Sequence, residues 1–212
     1  MKIAIIGASG FIGSAITAEA LARGHTVTAI VSRPQRMAQQ SGLTILGVDV
    51  NDTAALAKQI RGHELVISAF SGHAQSDIAT YYLNGFSSIL NAVNDAGVQR
   101  FLVVGGAASL LLPDGSMLLN SPDFPAEYRA TAEGAYAALQ LLRDINDIDW
   151  SYLSPAAEIF PGDKTAKFRV GQDHLLLDAN GASKISTGDY AAAMLDEAEQ
   201  PTHIRQRFSV AY

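Results

Sequence analysis

The chain contains no cysteine. That excludes disulfide staples, thiolate nucleophiles and cysteine-ligated zinc. Positive charge is scarce: 15 Lys and Arg stand against 21 Asp and Glu, a formal net charge of −6. Proteins built for nucleic acid or an anionic membrane surface usually carry the opposite sign. No apolar run approaches the roughly 18 residues of a membrane span. The early run Ile3–Ile6 is cut short by Gly7, unlike a secretory signal. The expected setting is cytoplasmic, with neither a nucleic-acid nor a membrane partner.

Two catalytic signatures are also missing. None of the seven tyrosines starts a Tyr-x-x-x-Lys pair. In hydroxyl-oxidising short-chain dehydrogenases that lysine lowers the tyrosine's pKa so that it can transfer a proton. No G-x-S-x-G elbow occurs, which removes the support for a serine hydrolase. The five histidines, His25, His63, His73, His174 and His203, show no metal-ligand spacing, and no metal site is expected. His25 and His63 fall in turns before strands, where surface positions are expected. His73 follows the fourth strand and is the one histidine placed near a binding site.

What is present is apolar residue in quantity: 48% of 212 residues, enough for the core of one domain spanning 1–212. Short apolar runs at 2–6, 26–32, 43–48, 65–69, 100–104 and 150–153 read as buried strands. Helical periodicity separates them, at 11–23, 53–61, 76–96 and 127–146. On the first helix Ile12, Ala15, Ile16 and Ala20 share a face, and Gly24 follows its end. Strand and helix in alternation predict an α/β fold, a doubly wound parallel Rossmann sheet. Two segments break the rhythm. Residues 107–126 carry three prolines and read as irregular. Residues 156–187 read as a small C-terminal, substrate-side cap with strand-like pieces at 167–170 and 174–177. The chain closes with a helix near 188–199 and a strand at 207–211.

The first strand runs into Gly7, Ala8, Ser9, Gly10, Phe11, Ile12 and Gly13, a G-x-x-G-x-x-G at a strand-to-helix junction. Gly7 allows the tight turn, Gly10 lets backbone approach a pyrophosphate, and Gly13 lets the helix pack on the sheet. The helix N-terminus offers amides and a positive dipole end to phosphate. About 20 residues on, an NAD site usually places a carboxylate on the ribose hydroxyls. Here that position is Arg33, and no carboxylate lies between Gly24 and Gln40. A guanidinium there, with Arg36 as a second cation, suits a 2′-phosphate, so NADP(H) is expected over NAD(H). The competing reading is a solvated helix-start arginine. Asp49 either sits beside adenine or starts a turn with Asn51 and Asp52. The strand ends Ala69, Phe70 and Ser71, Gly105 and Gly106, and Pro155 would line the cofactor trough. Trp150 is read as core.

Beyond these motifs, KIAIIGASGFIG with SRP after strand two resembles atypical short-chain dehydrogenase/reductases of the NmrA-like kind. The segments RFLVVGGAASL, SPDFPAEYRA, DWSYLSPAAEIFPG and HIRQRFSVAY resemble the bacterial NADH-flavin reductase family nearly end to end. The resemblance implies hydride transfer to a free flavin (FMN or FAD as substrate, not as a tightly bound group) or to a quinone-like flat acceptor. The family name says NADH, whereas Arg33 argues for NADPH. The missing proton-transfer pair fits, because stacked rings exchange hydride mainly through position and exclusion of water. Substrate-side candidates are Ser109, Tyr128 and His73. The alternative is an NmrA-like redox sensor that binds NADP(H) without turnover. A monomer or a homodimer is expected, with the helices at 76–96 and 127–146 as possible dimer faces.

Overall fold

The computed structural model describes residues 1–72 and 77–212. Six parallel strands form the centre: β1 (Lys2–Ile6), β2 (Thr26–Val31), β3 (Leu43–Gly47), β4 (Leu65–Ser68), β5 (Arg100–Val104) and β6 (Asp149–Ser154). They lie in the order 3-2-1-4-5-6. The chain moves outward from β1 to β3, then returns to place β4 on β1's other edge. Strand order therefore reverses between β1 and β4, and a crevice opens there at the carboxyl ends. These strands are apolar toward both faces because helices cover both. In β1 every residue from Ile3 to Ile6 is fully buried.

One face packs under α1 (Phe11–Ala22) and α5 (Thr187–Glu199), which touch each other. The other packs under α2 (Thr53–Ile60), α3 (Ile78–Ala96) and α4 (Ala126–Arg143). Trp150 lies in this second core, as expected. Side-chain oxygens cap three helices: Asp52 accepts from the Ala55 amide, Asp77 from Thr80 and Ser186 from Asp189. The helix expected at 76–96 has its cap at Asp77, and Gly97 ends it in the left-handed conformation.

Residues 156–187, expected as a small cap within the one domain, contribute strands to two sheets. Within them, β7 (Glu158–Phe160) and β9 (Lys184–Ser186) pair as a small parallel sheet at the carboxyl end of β6. Between these, β8 (Arg169–Gly171) joins the main sheet, antiparallel to β10 (Gln206–Ala211), which itself runs parallel to β6. The main sheet thus has eight strands. Residues 174–177 form no strand; His174 makes one isolated bridge to Leu111. Asp189, fully buried, ties this region together. It accepts from the Thr165 and Ala166 amides, the Thr165 hydroxyl and the Tyr212 phenol, all within 2.8 Å. Burial alone would raise its pKa; those four donors outweigh that and hold the carboxyl below its usual range. Among the described residues no helix is long and apolar enough to cross a membrane.

Candidate functional site

The glycine loop is locked by backbone, not side chains. Gly7 has φ +77°, and its amide donates to the Ile30 carbonyl of β2 at 2.9 Å. A Cβ on Gly7 would lie 2.5 Å from the Ala69 carbonyl at the end of β4. A Cβ on Gly13 would lie 2.1 Å from the Gly7 carbonyl. Both positions exclude a side chain on steric grounds, and α1 is thereby drawn tight against the β1 turn. Gly10 differs: the nearest atom to its Cβ position is the Gly7 carbonyl, at 3.2 Å. Its outer side is the approach a pyrophosphate would use. Gly10 also caps α1 with no side-chain hydrogen bond, unlike the capped starts of α2, α3 and α5. The Gly10 amide turns back to the Gly7 carbonyl at 3.0 Å, but among the described residues no side chain caps the α1 N-terminus, and its residues fit a dinucleotide phosphate.

Around the loop, Ala8 is buried, Ile12 and Gly13 pack inward, and Ser9 is exposed. Phe11 opens α1 with 53% of its surface exposed. Arg33 and Arg36 are exposed just past the carboxyl end of β2, Arg33 preceding a short 3-10 turn (Pro34–Arg36) and Arg36 ending it. Among the described residues neither forms an ion pair with a protein carboxylate, so both guanidiniums remain available to an anion. Tyr128, in the first turn of α4 on the opposite face from Phe11, is 58% exposed. Ser71 is exposed, Ala69 half-buried and Pro155 buried at the end of β6.

Several expected site residues have other work. Ser109 is only 4% exposed, and its hydroxyl and carbonyl both accept from Arg207 Nη1 at 2.9 Å, so it does not face a substrate. Phe70 turns from the trough into the notch over Gly85, stacking on Tyr82 with ring centroids 5.8 Å apart. Gly105 and Gly106 make room for Tyr152: a Cβ on Gly105 would meet its ring at 2.2 Å, and the Gly106 amide donates to its phenol oxygen. That amide is consumed and cannot serve a phosphate. Asp49 forms the turn: its Oδ1 accepts from the Asn51 amide and side chain. His73 lies outside the described residues.

Two histidine expectations are corrected. His63 is buried, bonded to the Ile60 carbonyl and the Thr28 hydroxyl, and burial holds its pKa below the usual value. His25 is tied to Glu199 at 2.8 Å and to the N-terminal amine. Sequence reasoning missed the polar hubs at Asp189 and Glu197. One signal was available: Ser186-x-x-Asp189 has the spacing of a helix-start capping box.

Comparison with known proteins agrees with this geometry. Residues 7–201 match the family model for NAD(P)H-binding proteins. The Bacillus subtilis protein YwnB is 38% identical over 213 residues, covering 99% of this chain and 98% of its own. A structure named "putative NADH-flavin reductase", from Streptococcus pneumoniae, is 34% identical, with TM-score 0.87 over 100% of this chain and 99% of that one. A "putative epimerase" of Bacteroides thetaiotaomicron is 38% identical, with TM-score 0.93 over 100% of this chain and 96% of that one. With its Rossmann sheet, its glycine loop and this match over most of its length, the chain belongs to the NAD(P)H-binding family.

Proposed function

We propose that the protein is an NADPH-preferring reductase that passes hydride to a free flavin or a quinone-like flat acceptor. Arg33 carries the cofactor preference. It is an exposed guanidinium at the end of β2 with no carboxylate partner among the described residues, where an NAD site would have an acid. Paired with Arg36, it answers the charge of a 2′-phosphate. The glycine loop would take the pyrophosphate, and the reduced nicotinamide, when bound, supplies the hydride.

The acceptor follows from what the chain offers for proton transfer. With no Tyr-x-x-x-Lys in the sequence, alcohol–ketone chemistry and sugar-nucleotide epimerisation of that type have no acid–base pair. Hydride transfer between stacked rings needs position and a dry contact, and its proton can come from solvent. Phe11, at the start of α1, and Tyr128, in the first turn of α4, are exposed aromatics that would stack on a flat acceptor. The likeness to the Streptococcus protein supports the same acceptor class. A cytoplasmic location belongs to this reading.

The test is NADPH oxidation followed at 340 nm with and without FMN or a quinone. Acceptor-dependent turnover supports the proposal. Tight NADPH binding without turnover on any such acceptor would replace it with the redox-sensor reading.

A further inference from the structure

Away from the crevice, the described residues form an open, solvent-facing cavity of about 220 Å3 where the end of α4, the start of β10 and the turn after β8 meet. Three of the chain's ten arginines line it: Arg143, Arg205 and Arg207. Asp173 is the one carboxylate in the lining, and Trp150 forms part of its wall. Three guanidiniums against one carboxylate leave a formal +2, on a chain whose net charge is −6. Of the three, Arg207 is buried against Asp173, while Arg143 and Arg205 are half exposed and face solvent with part of their charge unanswered.

Two features show that the arginines are held there. Arg207 has a 5% exposed side chain; its Nε and Nη2 donate to Asp173 and its Nη1 to Ser109. Arg205 has φ +54°, one of two non-glycine residues among those described in the left-handed region. Its amide is pinned to the Trp150 carbonyl at 2.6 Å. Glycine would adopt that backbone without strain, so an arginine there keeps a costly conformation while delivering a guanidinium to the cavity. Asp173 is half-exposed and offers one oxygen, Oδ1, to Arg207, with Arg143 3.8 Å away. Arg205 donates from Nη1 to the Asn146 carbonyl at 3.1 Å and pairs at 3.5 Å with Asp149, both side chains half in solvent, where such a pair contributes little and leaves other N–H groups of the fork open.

The geometry points to a second anion site: a phosphate group, free or on a small organic molecule, bound between Arg143 and Arg205 over Arg207. With Asp149 beside Arg205 counted, the local net is +1; a phosphate monoester carries about −1.5 to −2 at neutral pH, and guanidinium forks suit its oxygens. The site touches the segment that leads to α4. Arg207 holds Ser109, and the Leu111 amide donates to the Asp173 carbonyl at 2.8 Å. Occupancy would therefore brace residues 107–125 beside the crevice.

The test is the melting temperature at fixed ionic strength, titrated with inorganic phosphate or phenyl phosphate against sodium chloride. Four proteins are compared: the wild type, Arg143→Gln, Arg205→Gly and Arg33→Gln. A hundred-fold excess over Kd is expected to raise the wild type and Arg33→Gln alike by about 5–10 °C. Arg143→Gln and Arg205→Gly should lose most of that rise. Glycine at 205 relieves the backbone strain, so this variant is expected to fold. A stronger response to phenyl phosphate identifies an organic phosphate, and an equal one inorganic phosphate. No rise beyond chloride overturns the site. So does a rise that survives in Arg143→Gln and Arg205→Gly, or one that Arg33→Gln abolishes, which would place the anion on the dinucleotide loop.

Discussion

The ring of Tyr152 occupies the space that a side chain on Gly105 would need, 2.2 Å from that glycine's Cβ position. Its phenol accepts from the Gly106 amide and donates to the Ala135 carbonyl, each at 3.0 Å. One buried tyrosine on β6 thereby fixes the end of β5 and the start of the crevice against α4. Burial pushes its hydroxyl up to about 12, so it stays protonated and remains a donor at neutral pH.

Gly105→Ala is therefore expected to destabilise the fold by about 1–3 kcal/mol through overpacking. Tyr152→Phe should cost about 1–3 kcal/mol, because it removes two part-buried hydrogen bonds, from the Gly106 amide and to the Ala135 carbonyl. Urea unfolding of both variants measures this. A loss below a few tenths of a kcal/mol in Gly105→Ala would show that Tyr152 can move aside.

Arg33→Ala should raise KM for NADPH by roughly 10–100-fold, the equivalent of losing about 1.5–3 kcal/mol of charge-assisted hydrogen bonding. KM for NADH should stay within about two-fold, since no 2′-phosphate is present to lose. Parallel kinetics with the two cofactors check it. Equal effects on both would assign Arg33 to general positioning, and no effect on either would make it a solvated turn residue.

Glu197 sets an acid limit on stability. It is 3% exposed and accepts from Arg100 Nη2 at 2.7 Å, the Ser151 hydroxyl, Thr202, and the amide and ring of His203. Burial alone would raise its pKa, but the bonds from His203 and Thr202 outweigh it, and the net direction is down from 4.5. Its folded value thus lies below its unfolded one. The stability it contributes is complete above about pH 4.5 and is lost as pH falls through the depressed value. Glu197→Gln should cost about 3–5 kcal/mol at neutral pH, since Arg100 is left buried without its counter-charge. The gap from wild type should narrow below pH 4.5. Urea midpoints from pH 7 to pH 3 give the profile, and a constant gap across that range would contradict it.

The parallel sheet and the glycine loop were legible because their causes are local. Uninterrupted apolar runs require cover on both faces, and Gly13 answers a clash with Gly7 in the same βα unit, while Gly7 shows its role by position at the strand-to-helix turn although its clash is with Ala69 after β4. The C-terminal third was not legible in this way. The strand Arg169–Gly171 is three residues long and exposed, and it exists only because β10 offers an edge. The roles of Ser109, Gly105 and Gly106 depend on Arg207 and Tyr152, which lie 98, 47 and 46 residues away in sequence. A strand-end glycine reads the same whether it admits a ligand or a neighbouring ring.

The most direct test of the central claim is the steady-state rate of NADPH oxidation at 340 nm by purified protein with saturating FMN, repeated with NADH. The account predicts acceptor-dependent turnover, with kcat/KM at least about ten-fold higher for NADPH. Binding of NADPH without FMN- or quinone-dependent oxidation, or turnover that favours NADH, would contradict it.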